Sequence, residues 1–284
     1  MKVFYSDVCL KHAPQNEILS GNFVEYLESP SRITLIKEHL SQFPEKFEIC
    51  SHLDYGIEPI LSIHDNDYIE YLKTAYIEWC KAGGDKKGVI PEAFFHKGIL
   101  DSSKMNLKNI KSPFAKAGLY CFDLSCCITE DTWEATYESA QVCINIFYSQ
   151  SNPLYVSFHG SNDYPYFTGD ETEIGDGDGK GYNINISLNQ ETVDEEYLEK
   201  LKIVIRDKII PYNADFLVVS LGVDTYKDDP IGGMQITTLG YKRIGNLIKS
   251  IGLPTLFIME GGYHMETLKF NVYNVLSGFD EELR

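Results

Sequence analysis

Apolar positions along the chain fall into two kinds of run. Phe216–Leu221 (FLVVSL), Pro254–Met259 (PTLFIM) and Leu154–His159 (LYVSFH) are short and nearly continuous, without the alternation of a strand that has one face in water. Such runs predict parallel strands covered on both faces. Elsewhere the apolar residues recur at helical spacing: Ile33, Ile36, Leu40 and Phe43, then Tyr68, Ile69, Leu72, Ala75, Tyr76 and Trp79, ended by Gly83-Gly84. Leu198, Leu201, Ile205 and Ile209 form another such face, with Thr192 and Glu195 spaced as a capping box. Tyr241, Ile244, Leu247, Ile248 and Ile251 form the next, stopped by Gly252 with Pro254 beyond. Ala115–Cys127 and Trp133–Tyr148 also read as helices, Lys2–Ser6 as an opening strand, and Asp85–Ser112 as a polar loop of the kind that shapes a pocket entrance. Strand–helix–strand order repeated over the last third predicts a parallel, doubly wound α/β sheet. No Pro/Ser/Gly-rich linker divides the 284 residues, so residues 1–284 are expected to form a single domain.

Two of the predicted strands end in polar tips. Gly222 breaks the first, and Asp224, Asp228 and Asp229 follow; the other runs into Glu260-Gly261-Gly262-Tyr263. In open α/β sheets ligands bind at the carboxyl ends of strands, so two such tips point to one shared site. Taken singly, each is equally an ordinary βα turn with Asp as helix cap and glycine at positive φ.

The formal net charge of −17 argues against sequence-independent binding to nucleic acid or an anionic membrane and favours a cationic ligand. No apolar run reaches the length of a signal peptide core or a membrane span, which predicts a cytoplasmic protein. The seven cysteines form no paired C-x-x-C arrangement and read as reduced, mostly buried thiols. Asp176-Gly177-Asp178-Gly179 has the look of a calcium loop, but Lys180 and Ser187 stand where ligands are needed.

Taken together, Leu221-Gly222-x-Asp224-x-x-x-x-Asp229-Pro230 and Glu260-Gly261-Gly262-Tyr263 resemble the zinc-dependent family of histone deacetylases and acetylpolyamine amidohydrolases. Further similar phrases are Glu28-x-Pro30-x-Arg32, His64-x-x-x-Tyr68-Ile69, Tyr164–Gly169 and Gly181–Asn185. Asn16–Gly21 and Thr132-Trp133-Glu134-Ala135 look more like the acetylpolyamine amidohydrolase branch. The resemblance implies an arginase/deacetylase-like fold, a doubly wound, mainly parallel sheet with helices on both faces. It makes Asp224 a zinc ligand and Tyr263 the hydroxyl that stabilises the oxyanion. Ser157 and the carbonyl of Phe158 become candidates for a structural monovalent cation, potassium, and Glu17 and Arg32 for substrate binding. The implied substrate is a small cationic acetylated amine, such as an acetylpolyamine, or acetyl-lysine.

A catalytic zinc needs three protein ligands and a nearby base for its water. In the family the remaining ligands come from a D-x-H motif and the base from an R-P-P-G-H-H segment, and neither occurs in this sequence. Cys143-Ile144-Asn145 runs straight into Ile146-Phe147-Tyr148, so the chain reads as a family member with several dozen residues removed near Asn145. His159, Asp163, Asp229 and His264 lie near strand ends, but each has a structural explanation. The lost block implies a sheet missing a central strand, in which Leu154–His159 and Phe216–Leu221 either pair directly or leave a breach. A weakened fold of that kind is expected to be marginally stable or to form homo-oligomers. Two readings of function follow: a zinc-dependent deacetylase of impaired activity, or a catalytically inactive relative, either a binding protein or a truncated gene product.

Overall fold

The computed structural model describes residues 1–96, 109–125, 127–147 and 153–281, and the side chains of 143–147 are not among what is described. The centre of the expected polar loop, Cys126, and residues 148–152 just beyond the expected deletion point therefore lie outside the described residues. In chain order the elements are β1 (Lys2–Phe4), β2 (Asn16–Leu19), β3 (Asn22–Glu25), α1 (Ser31–Leu40), β4 (Glu48–Cys50), α2 (Glu58–Leu61), α3 (Asn66–Lys81), α4 (Pro113–Tyr120) and α5 (Thr132–Phe147). There follow β5 (Tyr155–Gly160), β6 (Asn183–Leu188), α6 (Asp194–Val204), α7 (Ile210–Tyr212), β7 (Leu217–Leu221), α8 (Thr238–Ser250), β8 (Thr255–Met259) and α9 (Leu268–Asp280). They group into two compact units, each discontinuous in sequence: residues 2–31 with 49–147, and residue 1 with 32–48 and 148–284.

The first of these units is mainly helical. Of the α3 positions expected to be apolar, Ala75 and Trp79 enter a core completed by Val89, Ala117 and Ile128, together with Tyr71, which the expected face did not include. Val89 belongs to the segment expected to be a polar loop. It is nevertheless buried, because its N–H donates 2.9 Å to the Ile128 carbonyl in an antiparallel bridge. The helix expected over Ala115–Cys127 stops at Tyr120. Cys121 turns to extended backbone, and the Asp123 carboxylate accepts the Ser125 N–H at 2.9 Å, a local turn that competes with helix.

The other unit holds the parallel strands. β5 pairs with β6 in register Ser157↔Asn185, and β7 with β8 in register Val219↔Phe257. Among the described residues each pair is a separate two-stranded sheet, and no ladder joins β5 to β7. Direct pairing of those two strands, one of the two outcomes expected from the lost block, is therefore not what forms. The run Phe216–Leu221 also differs from expectation, since Leu221 is buried at 7% exposure while Phe216 and Val218 are 40% and 39% exposed. Two-sided coverage is a property of the neighbours, and among the described residues one face of β7 is only partly covered. Behind the sheet, α8 and α9 approach closely at Gly245 and Gly278, where a Cβ would run into the Val275 and Lys242 carbonyls. The expected capping box at Thr192 does not form. Thr192 Oγ1 is buried without a hydrogen-bond partner, and α6 starts instead at Asp194, whose carboxylate accepts the Thr237 N–H (2.8 Å) and hydroxyl (2.6 Å).

Candidate active site at two strand ends

The carboxyl ends of β7 and β8 remain zipped beyond the strands. Glu260 N–H donates to the Leu221 carbonyl and Val223 N–H to the Gly261 carbonyl, each at 3.0 Å, so the Gly222–Asp224 and Glu260–Tyr263 turns form one ledge. Asp229 locks it. Its Oδ1 accepts the N–H groups of Ile231 (3.0 Å) and Gly232 (3.4 Å), and its Oδ2 those of Tyr263 (2.7 Å) and His264 (3.2 Å). Spent on backbone amides in this way, Asp229 is a structural anion. His264 is likewise occupied, with Nδ1 at 2.8 Å from the Thr267 hydroxyl and its ring against Tyr226.

Arg32 holds the same ledge from α1. It is 5% exposed, its Nε–H donates to the Gly262 carbonyl at 2.7 Å, and its Nη2–H donates to the Glu260 carbonyl at 2.6 Å. The guanidinium carbon lies 4.7 Å from the centroid of the Tyr263 ring, within cation–π range. The resemblance makes Arg32 a substrate-binding residue; the structure gives it the backbone carbonyls beside Tyr263 as partners.

Asp224 is packed against glycine. A Cβ at Gly261 would run into its Oδ2, and one at Gly222 would come within 2.9 Å of its Oδ1. Burial raises its pKa above the ordinary carboxylate value, the negative charge of Asp229 adds to this, and its own backbone N–H and Arg32 act in the opposite direction. Behind it, desolvation and then the Asp224 charge push the Tyr197 hydroxyl up to about 12. The Tyr241 hydroxyl donates to the Val223 carbonyl at 2.9 Å, which leaves Thr225 as the donor in its 2.9 Å contact with Tyr241.

Zinc, which the family resemblance implies, can be tested against these residues. Asp229 is committed to amides, and among the described residues no three His, Cys, Asp or Glu side chains group to hold a metal. No two histidines are adjacent anywhere in the sequence. A set that offers Asp224 alone does not fit a catalytic zinc, which takes three protein ligands.

The other predicted site residues fall elsewhere. On β5, Ser157 Oγ lies 2.8 Å from His159 Nδ1, and His159 Nε2 lies 2.7 Å from the Gly169 carbonyl. A carbonyl only accepts, so Nε2 carries a proton. Phe158 packs on Tyr197 with centroids 5.3 Å apart. Glu17 belongs to the helical unit, is 9% exposed and accepts the Leu27 N–H at 3.2 Å; burial raises its pKa. Sequence reasoning missed the clamp made by Arg32, for which a cation at the first turn of a helix, where the macrodipole disfavours it, was the available signal.

A carboxylate and a tyrosine presented from adjacent parallel strand ends define the class of α/β proteins that carry their ligand site on βα turns. The Histone deacetylase domain family matches residues 143–279. Acetylpolyamine amidohydrolase 1 of Pseudomonas aeruginosa is 30% identical over 99% of both chains, and acetylpolyamine amidohydrolase 2 of the same organism is 29% identical over 99% of both. A crystal structure of acetylpolyamine aminohydrolase from Burkholderia pseudomallei superimposes with a TM-score of 0.86 at 26% identity, over 98% of each chain. The chain belongs to the histone deacetylase and acetylpolyamine amidohydrolase family, and its fold is the arginase/deacetylase fold. Alignment with acetylpolyamine amidohydrolase 2 runs over 349 residues for a chain of 284, so at least 65 positions of that relative stand opposite gaps. The Histone deacetylase domain match begins at residue 143, two positions before Asn145.

Proposed function

We propose that this chain is a pseudoenzyme of the deacetylase family, which retains the ledge that presents Tyr263 but lacks the means to hydrolyse an acetylated amine. The observation that carries this is the isolation of Asp224: no D-x-H and no His-His segment occurs in the sequence to complete a metal site beside it. Tyr263 would donate a hydrogen bond to the oxygen of an acetyl group, and Asp224 with the overall charge of −17 favours the cationic amine end of the ligand. Arg32 contributes by holding the Tyr263 turn, and Glu17, on the helical unit, is kept as a separate candidate for substrate binding. An acetylpolyamine fits this better than acetyl-lysine, because the full-length relatives are acetylpolyamine amidohydrolases. Ser157 and the Phe158 carbonyl stay as candidates for a structural potassium ion.

A second reading is favoured by the alignment length. At least 65 missing positions amount to a block large enough for two strand ends with their connections, so the chain would be the truncated product of a working deacetylase. Both readings predict the same protein chemistry. Metal-loaded protein should hold well under one zinc per chain by elemental analysis, and N-acetylputrescine should not be hydrolysed above a Tyr263→Phe control. One zinc per chain lost in Asp224→Ala, or turnover lost in Tyr263→Phe, would overturn the proposal. Calorimetric binding of N-acetylputrescine without turnover separates a binding protein from a functionless product.

A further inference from the structure

Within the helical unit, α2, α3, α4 and α5 enclose a cavity of about 350 Å³, in the size range of small-molecule sites. Its lining is aromatic from two sides. Tyr71 and Tyr120 stack with centroids 4.6 Å apart, with Tyr68 6.1 Å from Tyr120; from α5 come Trp133 and Tyr137, 5.5 Å apart. Phe122, 73% exposed, also lines it, so the cavity reaches solvent past an apolar ring.

The polar ends of these rings are already engaged. Tyr120 donates its hydroxyl proton to Asp67 Oδ2 at 3.0 Å and Tyr137 to Asp54 Oδ1 at 2.8 Å, while the Tyr71 hydroxyl lies 3.7 Å from Cys121 Sγ. What those phenols leave for a ligand is ring surface, beside His64, Thr132 and Thr136, which also line the cavity. The lining contains no Lys, Arg, Asp or Glu, but carboxylates stand directly behind two of the phenols and make the surroundings electronegative. Aromatic faces attract cations through the ring quadrupole and repel anions. Trp133 already takes one cation, the Lys73 ammonium 5.3 Å from its ring centroid, with Lys73 tethered to Glu70 at 2.7 Å.

We propose that this cavity binds a small organic cation whose nitrogen carries methyl or methylene groups, the hydrocarbon filling the aromatic walls and the charge resting on the faces of Tyr68, Tyr120 and Trp133. The site is separate from the Asp224 ledge and does not depend on whether that ledge hydrolyses anything.

The probe is choline, compared by titration calorimetry on the full chain with its neutral isostere 3,3-dimethylbutan-1-ol. Choline should bind at least tenfold more tightly than the alcohol. Trp133→Leu, which keeps an apolar wall but removes a ring face, should cost choline about tenfold while leaving the alcohol unchanged. Should that variant fail to fold, as read by its thermal transition, Tyr137→Leu tests the same wall. Asp224→Asn should leave choline binding unaltered, which excludes the strand-end ledge as its place. Equal affinity for the two ligands would reduce the cavity to an apolar void and overturn the proposal. So would binding of neither, insensitivity of choline to Trp133→Leu, or loss of choline binding in Asp224→Asn.

Discussion

Arg32 lies over the ring of Tyr263, with the guanidinium carbon 4.7 Å from the ring centroid while the same group bonds the carbonyls on either side of Gly261. A buried cation that satisfies two carbonyls is costly to remove, because both acceptors are left without a donor. Arg32→Ala should lower unfolding stability by about 3 kcal/mol in urea denaturation. Arg32→Lys should recover only part of it, since an ammonium cannot reproduce the fork. A loss under about 0.5 kcal/mol, the usual effect of a surface substitution, would show that the clamp contributes nothing.

Asp224 acts on stability in the opposite sense. Its pKa is raised chiefly by burial, so the folded state binds the proton more tightly than the unfolded state does, and ionisation above the folded pKa destabilises the fold. Asp224→Asn should therefore raise the melting temperature at pH 8. The advantage should shrink as pH falls through the raised pKa towards the ordinary carboxylate value, where the native carboxyl is protonated as well. A substitution that destabilises at pH 8 would mean that Asp224 has an unrecognised counter-ion. Stability gained by deleting a charged group is the pattern expected of a residue kept for a site rather than for the fold.

How far the site could be read from the sequence depended on the range of the interactions that build it. Consecutive apolar residues ending in Asp224 and in Tyr263 locate the ledge, since strand ends in a parallel sheet are placed by local pattern. The Arg32 clamp links positions 228 and 230 residues apart, and its one local sign, a cation at a helix start, names no partner. The capping box failed because its carboxylate is taken from a distance: Arg243, 48 residues away, donates to both oxygens of Glu195 at 2.6 and 2.9 Å. Exposure of Val218 was illegible for a related reason: β propensity describes a strand, whereas coverage depends on which distant elements pack over each face.

His52 and Glu138 give the helical unit a pH dependence with a definite sign. His52 Nε2 lies 2.8 Å from Glu138 Oε1 and Nδ1 lies 3.0 Å from the Leu53 carbonyl; both neighbours accept, so both ring nitrogens carry protons. Burial works against that charge, but the Leu53 carbonyl, Glu138 and Asp54 together raise the pKa. The Glu138 pKa is lowered, first by the Ser6 hydroxyl at 2.6 Å and then by His52. His52 thus contributes stability that is complete below its ordinary value of 6.5 and lost as pH rises through the folded pKa. The Glu138 share is complete above 4.5 and lost as pH falls through its lower folded pKa. Thermal melts should show wild type exceeding Glu138→Gln most between those values, with the gap narrowing into the alkaline range. A gap that stays constant from pH 5.5 to 9 would contradict the charged pair.

The last prediction follows from the deletion expected near Asn145. The Histone deacetylase domain match starts at residue 143, and at least 65 positions of acetylpolyamine amidohydrolase 2 have no counterpart in the chain. If these observations have one cause at Asn145, the two parallel pairs β5–β6 and β7–β8 are parts of a sheet whose connecting strands were in that block. The exposed side of Phe216 and Val218 is then a surface the block would cover, and burying the 40% and 39% that they still expose is worth about 2 kcal/mol. Inserting the corresponding segment of acetylpolyamine amidohydrolase 1 between Asn145 and Ile146 should raise the melting temperature, bring zinc to one per chain, and give hydrolysis of N-acetylputrescine that Asp224→Ala and Tyr263→Phe both abolish. The insertion carries its own control, because the Asp224 ledge and the Arg32 clamp belong to the recipient chain. A folded chimera that takes up zinc yet remains inactive would place the defect in the recipient ledge, whereas a chimera that fails to fold, while the original chain melts cooperatively at high temperature, would show that the shorter sheet is a finished structure and that the chain has adapted to its loss.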